Sequence, residues 1–444
     1  MNLLFRLFLG LRRIPFVRDV ATIQIGSMIL MAAGFLSSIA FARFLGRDVY
    51  GQYAVILAFS GTFTAFFNIG QGQSLYVFFS EAYGRRDRRG MAAVLANFAE
   101  VAAANVALLL ILSLLMPMLS MKFYGSPDIG RAARILCFFQ MSEILNSMTL
   151  IILQSLRQIR LKVILEQSAN LSYLGLAVAV LFFGGKIHAV LLTQLGVSLF
   201  FLPVSVIALA YAARRFGLPR VREIFGIPWN ESKQYLGQGL LITADKTIGN
   251  FFPQGIFFFL SLFVPASFVG IARIAVQLAN VPRSILLPQA GDLSTAAFAR
   301  MKNEGVTVIR KNAAKLIKHA LFFHAILSLG AAIVFPPIVF TFYGTQYLEA
   351  IPVMLWLLLI HLLSSLSIAN SPLLRLYRKT HFSIMAGILN WTLMIGCLFI
   401  LIRILSPLPV FLLIYLIGNA TPLLLTWYVF SRLIPKRGIL DITE

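Results

Sequence analysis

Long apolar runs set the pattern of this chain. Nine stretches of 19 or more residues contain no Asp, Glu, Lys, Arg or His: 20–42, 49–80, 101–121, 167–185, 189–213, 247–272, 325–348, 382–402 and 404–431. A helix of about 20 apolar residues crosses the hydrocarbon core of a bilayer, so each run predicts a transmembrane helix. Three further spans carry ionisable residues: 131–153 with Arg134 and Glu143, 268–296 with Arg273, Arg283 and Asp292, and 350–372 with His361. The predicted fold class is therefore an all-α polytopic membrane protein of about 12 transmembrane helices.

The same pattern contains a repeat. A shift of 219 residues places Gly51 on Gly270, Pro117 on Pro336, and Phe123-Tyr124-Gly125 on Phe342-Tyr343-Gly344. A shift of 218 places Leu156-Arg157 on Leu374-Arg375 and Arg160 on Arg378. Landmarks kept in order at one offset mark a duplication, dividing the chain into lobes 1–220 and 221–444. Six spans per lobe is an even number, so both lobes enter the membrane from the same side. The expected architecture is two pseudo-symmetric six-helix lobes around a central cavity.

Composition narrows the class. Of 444 residues, 59% are apolar and only 12% charged, against about 25% charged in soluble domains, which excludes a water-soluble protein. The net charge of +22 would suggest nucleic acid in a soluble chain, but here it sorts by topology. The N-terminus, the C-terminus and every second loop hold 28 of the 38 Lys and Arg residues, the alternate loops six, and the spans four. Basic loops stay in the cytoplasm, so both termini are expected there, and no binding of nucleic acid is expected. The basic start Met1–Asp19 precedes a run long enough to remain as a span, and no cleavable signal peptide is evident. Cys137 and Cys397 lie in apolar runs and exclude a disulfide framework.

The four intramembrane cations, Arg134, Lys246, Arg273 and Arg283, carry the functional signal, because charge inside a membrane usually faces a cavity or a partner. In the eighth span Arg273, Gln277, Asn280 and Ser284 form one helical stripe, with Arg283 one position off it. In the second span Ser60, Thr64, Asn68 and Gln71 likewise fall on one helical face. These two polar faces predict a wet cavity, positive on the C-terminal side. In the seventh span Lys246 can join that cavity while Asp245 binds a coupling cation or proton; an interhelical Asp245–Arg273 or Asp245–Lys246 pair is an equal alternative. Glu100, Glu143 and Glu166 are expected to pair with Arg134, Arg157 or Arg160, and His324 and His361 to be packing residues. No Walker, GxSxG, HExxH or CxxC sequence occurs, so no cofactor, metal site or enzyme constellation is expected, and transport cannot draw on ATP bound to this chain.

The stretch Phe41-Ala42-Arg43-Phe44-Leu45-Gly46-Arg47-Asp48-Val49-Tyr50-Gly51-Gln52-Tyr53 resembles the bacterial polysaccharide-transporter branch of the multidrug/oligosaccharidyl-lipid/polysaccharide exporter superfamily. Asn68-Ile69-Gly70-Gln71-Gly72, Gly84-Arg85-Arg86-Asp87, Phe268-Val269-Gly270-Ile271-Ala272-Arg273 and Leu287-Pro288 are similar to further landmarks of that branch, with Asn68 in place of the usual acid. The resemblance implies an O-antigen-type flippase that moves an undecaprenyl-pyrophosphate-linked oligosaccharide by alternating access, working beside polysaccharide polymerase machinery. Cationic cavity residues would meet the pyrophosphate, a role that Arg273, Arg283 and Lys246 match by position. Some relatives couple transport to Na+; Asp245 and Asn390 could serve here, although Met394, one turn after Asn390, is no carboxylate. The alternatives are a drug/cation antiporter of the same superfamily and, further off, a membrane glycan polymerase or ligase.

Overall fold

A computed structural model describes residues 15–67, 72–237, 247, 251, 254–301, 305–377, 379 and 381–434. Short 3-10 and π turns, a helical stretch at 254–261 and fourteen bounded α-helices lie in these segments, and no strand occurs among the described residues. In chain order they are α1 Pro15–Phe67, α2 Gly72–Gly84, α3 Arg88–Tyr124, α4 Asp128–Ser155, α5 Ile159–Phe182, α6 Ile187–Phe216, α7 Val221–Phe225 and α8 Trp229–Ser232. The others are α9 Ala266–Met301, α10 Val306–Ile338, α11 Ala350–Leu366, α12 Asn370–Leu376, α13 His381–Leu401 and α14 Pro407–Tyr428. Nine spans among the described residues are long and apolar enough to cross a membrane. The 53 residues of α1 would measure about 80 Å as a straight helix, far beyond a ~30 Å hydrocarbon core. The helix breaks instead at Gly46 (φ 74°, ψ 169°), a conformation open almost only to glycine. This elbow explains the Leu45-Gly46 pair in the sequence.

The chain forms two compact units, residues 1–46 with 56–251, and residues 47–55 with 252–444. In the first, α3 packs on α4, α4 on α6, α5 on α6, and α2 on both α3 and α4. Leu109, Leu112 and Met116 of α3 and Ile152 and Leu153 of α4 are almost wholly buried in its core. Outward-facing Leu114, Phe183 and Phe200 are well exposed, as lipid-facing side chains of a membrane helix should be. Asp87 caps α3 by accepting from the Gly90 N–H (2.9 Å), which accounts for an acid inside an otherwise basic loop.

The first unit extends past residue 220. Arg88 makes a two-pronged bond to Glu223 (2.8 and 3.0 Å), Arg89 another to Glu231 (3.0 and 2.6 Å), and Ser232 Oγ donates to Glu100 (2.8 Å). Phe78 and Tyr235 pack ring against ring at 5.1 Å. The polar connecting stretch is thus fastened along the start of α3.

In the second unit α9 is the central helix. It packs on α10, α11 and α12, while α14 packs on α11 and α13. Residues 47–55 lie against the start of α9, where Gly51 approaches so closely that a Cβ would sit 2.1 Å from the Ala266 carbonyl oxygen. Its repeat partner Gly270 lies directly opposite, with 3.0 Å left between a Cβ there and the Gly51 Cα. Small residues allow such backbone approach within a membrane, where packing replaces the hydrophobic effect. Arg47 and Glu349 close the same corner with paired bonds of 3.1 and 2.9 Å, and Tyr343 and Tyr347 are wholly buried beside it. Pro117 and Pro336 both fall inside their helices, and Gly125 and Gly344 both take positive φ, with ψ of 8° and 169° respectively.

Candidate functional site

Along α9 from Ile271 to Ser284, the positions that are not fully buried are Arg273, Gln277, Asn280, Val281, Arg283 and Ser284. All but Val281 are polar. Between them Ile271, Ala272, Ile274, Ala275, Leu278 and Ala279 are buried to 1% exposure or less. A lipid-exposed stripe would be apolar, so the accessible side of this helix is one that meets water or a polar ligand. The residues expected to form that stripe therefore do share one accessible face.

Tertiary packing adds aromatic and imidazole groups from neighbouring helices. The Arg273 guanidinium stands 5.9 Å from the centroid of the Phe257 ring, and its Nη1 is buried with no hydrogen-bond partner among the described residues. The hydroxyl of Tyr415, on α14, is within electrostatic reach of both Arg273 and Arg283. Arg283 also reaches His324 on α10 and His361 on α11. His361 Nδ1 lies 3.1 Å from the Ala279 carbonyl, which makes that nitrogen the protonated one. His324 Nδ1 is 2.7 Å from Ser365 Oγ, while its Nε2 is buried without a partner among the described residues.

Two permanent cations thus lie among buried rings, and no carboxylate among the described residues forms an ion pair with either. Removing a guanidinium from water without a counter-charge costs several kcal/mol, a cost that an anionic ligand offsets. Guanidinium forks suit phosphate oxygens better than ammonium groups do. Among the described residues no group of three His, Cys, Asp or Glu could hold a metal ion.

The other sequence candidates fare differently. Asn68, Asp245 and Lys246 lie outside the described residues, as does Gln71. Thr64 belongs to the first unit, where it is buried and its hydroxyl faces the Gly61 carbonyl of its own helix at 3.5 Å. Asn390 donates to the Gly418 carbonyl (3.3 Å), joining α13 to α14, and its Oδ1 has no partner among the described residues. The expected pairing of the carboxylates with arginines does not occur among the described residues. Glu100 accepts from Ser232, Glu143 from Ser198 and Asn146, and Glu166 lies 3.8 Å from Lys162. Arg134 donates instead to the Ser113 carbonyl at 3.0 Å. Sequence reasoning missed Tyr415, and it treated His324 and His361 as packing residues only. The available signal was two lone histidines in apolar spans, but on separate helices no spacing relates them to Arg283.

The family profile described as "Polysaccharide biosynthesis protein" matches residues 16–302. The inward-facing form of a multidrug resistance MATE family transporter of the MOP superfamily superposes with a TM-score of 0.71 at 15% identity, covering 92% of this chain and 97% of that one. A MOP superfamily transporter from Pyrococcus furiosus, described as having a binding pocket of reversed polarity, superposes with a TM-score of 0.65 at 15% identity over 94% and 96% of the two chains. The outward-facing form of a MATE family transporter gives a TM-score of 0.62 at 16% identity over 94% and 96%. At these identities the likeness is one of fold. No curated protein matches the sequence.

Proposed function

Because this chain belongs to the polysaccharide biosynthesis protein family, a family of membrane transporters, we propose that it is an ATP-independent flippase. Its substrate is an undecaprenyl-pyrophosphate-linked oligosaccharide, carried across the bacterial inner membrane by alternating access for surface polysaccharide assembly. One observation carries this reading: among the described residues Arg273 and Arg283 have no carboxylate partner, and both stand on the accessible stripe of the α9 segment Ile271–Ser284. A pyrophosphate brings two to three negative charges, and in a low-dielectric site two guanidinium groups offset its desolvation far better than neutral donors. Tyr415 Oη and His324 Nε2 supply further polar atoms beside them, and Lys246 joins them in this proposal, as do Gln277 and Asn280 for the sugar hydroxyls. Thr64 and Asn68 serve the same substrate from the second span. Coupling to Na+ or protons through Asp245 and Asn390 belongs to the same reading. Collapsing the Na+ gradient or the proton gradient separately identifies the ion.

In a strain lacking the native gene, replacing both Arg273 and Arg283 by Gln abolishes surface glycan export while the protein remains in the membrane. Full export by the double variant would overturn the cationic-site reading. A second reading, a drug/cation antiporter, is favoured by the fold shared with multidrug transporters. It predicts a change in drug susceptibility on deletion with no loss of surface glycan.

A further inference from the structure

The first unit holds a half-open cavity of about 90 Å3 between α4, α5 and α6. Its polar lining comes from Glu143 and Asn146 on α4, Glu166 and Asn170 on α5, and Gln194 and Ser198 on α6. Internal hydrogen bonds consume the donors. Ser198 Oγ donates to Glu143 Oε1 at 2.6 Å, and Asn146 Nδ2 donates to the same oxygen at 3.1 Å and to the Ser198 carbonyl at 3.3 Å. Those bonds fix the orientation of the Asn146 amide, so the atom left over is its Oδ1. That oxygen is buried and has no partner among the described residues, and the Gln194 Oε1 is in the same state. Asn146 is only 6% exposed. Buried acceptors are ordinarily satisfied, and two orphans around one cavity ask for a ligand that donates.

The chemistry of the lining selects among ligands. An anion is repelled by Glu143 and Glu166. A single metal ion leaves most of the cavity empty, and no three-ligand acidic or histidine cluster occurs among the described residues. A quaternary organic cation would satisfy the carboxylates but has no N–H or O–H to offer the amide oxygens. A sugar ring has several hydroxyl donors that diverge toward separate acceptors. Its C–H face also needs an apolar wall, and Phe139, Tyr173 and Phe201 line the same cavity. A few convergent polar groups beside aromatic walls are the usual lining of a small-molecule site.

We infer that this cavity is a glycan subsite, taking a neutral hexose or N-acetylhexosamine unit of the lipid-linked substrate. The inference rests on the flippase reading and deepens it. In that reading the arginines of the second unit serve the pyrophosphate, and the acceptors of the first-unit cavity serve a sugar.

The test uses the full chain in nanodiscs free of glycoside detergent, with D-galactose and N-acetyl-D-glucosamine as probes in saturation-transfer NMR. Wild-type protein transfers saturation to at least one sugar. Asn146→Leu and Gln194→Leu each weaken the signal about fivefold or more, Gln194→Glu, which keeps an acceptor oxygen, retains it, and tetraphenylphosphonium does not displace the sugar. Thermal unfolding of each variant identifies any that misfold, and the α4 and α6 substitutions serve as independent replicates. Absence of sugar signal on wild type, undiminished signal in both folded Leu variants, or displacement by tetraphenylphosphonium would overturn the subsite. The Arg273→Gln variant should keep the sugar signal while losing export. Failure of the sugar experiment beside lost export in the arginine variants would leave the flippase reading standing.

Discussion

Arg273 illustrates the tension between stability and function within one side chain. Among the described residues its Nη1 is buried without a hydrogen-bond partner, and its guanidinium lies over the ring of Phe257. Replacing an uncompensated buried charge by an apolar side chain of similar length often stabilises a fold by about 1–4 kcal/mol. Arg273→Met should therefore raise the thermal unfolding midpoint while abolishing glycan export. A lowered midpoint would mean that the arginine holds the helices together. Arg273→Lys keeps the charge but loses the fork, and export should fall about tenfold. At this scale much of the site is legible: Arg273, Gln277, Asn280 and Ser284 announce themselves as polar residues at helical spacing in an apolar span. His324, His361 and Tyr415 do not, because each is a single polar group on its own helix and only packing against α9 gives it a role.

Among the elements, the crossing of residues 47–55 with α9 depends on two glycines rather than on any polar contact. A methyl group at Gly51 would overlap the Ala266 carbonyl, so Gly51→Ala must push the helices apart. Overpacking of this kind costs about 1–3 kcal/mol, seen as a lower unfolding midpoint in detergent. Gly34→Ala, which meets nothing within 4 Å, serves as control. The fastening of α7 to α3 is different, since it is electrostatic and exposed. Hydrogen bonds from Arg88 hold the Glu223 carboxyl below its ordinary range. A lowered carboxyl pKa contributes above the unfolded-state value and is lost as pH falls through the folded one. Acidification should therefore release this stretch, detected as faster proteolysis between Phe216 and Tyr235, and Glu223→Gln should show the same cleavage at neutral pH. Unchanged cleavage in that variant would make Arg89–Glu231 and Ser232–Glu100 the sufficient contacts.

For the molecule as a whole, the asymmetry of basic loops predicts orientation. A fluorescent protein fused after Glu444 should glow and an alkaline phosphatase fused there should stay inactive, because both termini are expected in the cytoplasm. Moving four arginines of the loop Gly84–Gly90 to an opposite loop should weaken that preference, measured by cysteine accessibility. The apolar runs and their loops could be counted directly, since a bilayer demands about 20 apolar residues wherever they occur. The compact units were less legible. A repeat offset of 219 residues marks where similarity begins again, but contact decides which unit a segment joins. Residues 47–55 join the second unit and residues 221–235 fasten to the first.

By itself the sequence determined the membrane class, the approximate number of helices, the repeat and the polar stripe of α9. Each follows from a local rule of hydropathy or helical period that operates on neighbours along the chain. Only the tertiary structure decided which groups surround Arg283, that Arg134 bonds a carbonyl rather than an acid, and that Glu143, Asn146 and Gln194 converge on one cavity. Those outcomes depend on which helices pack together and on the rotation of each about its axis. Spacing within a single helix carries no record of either.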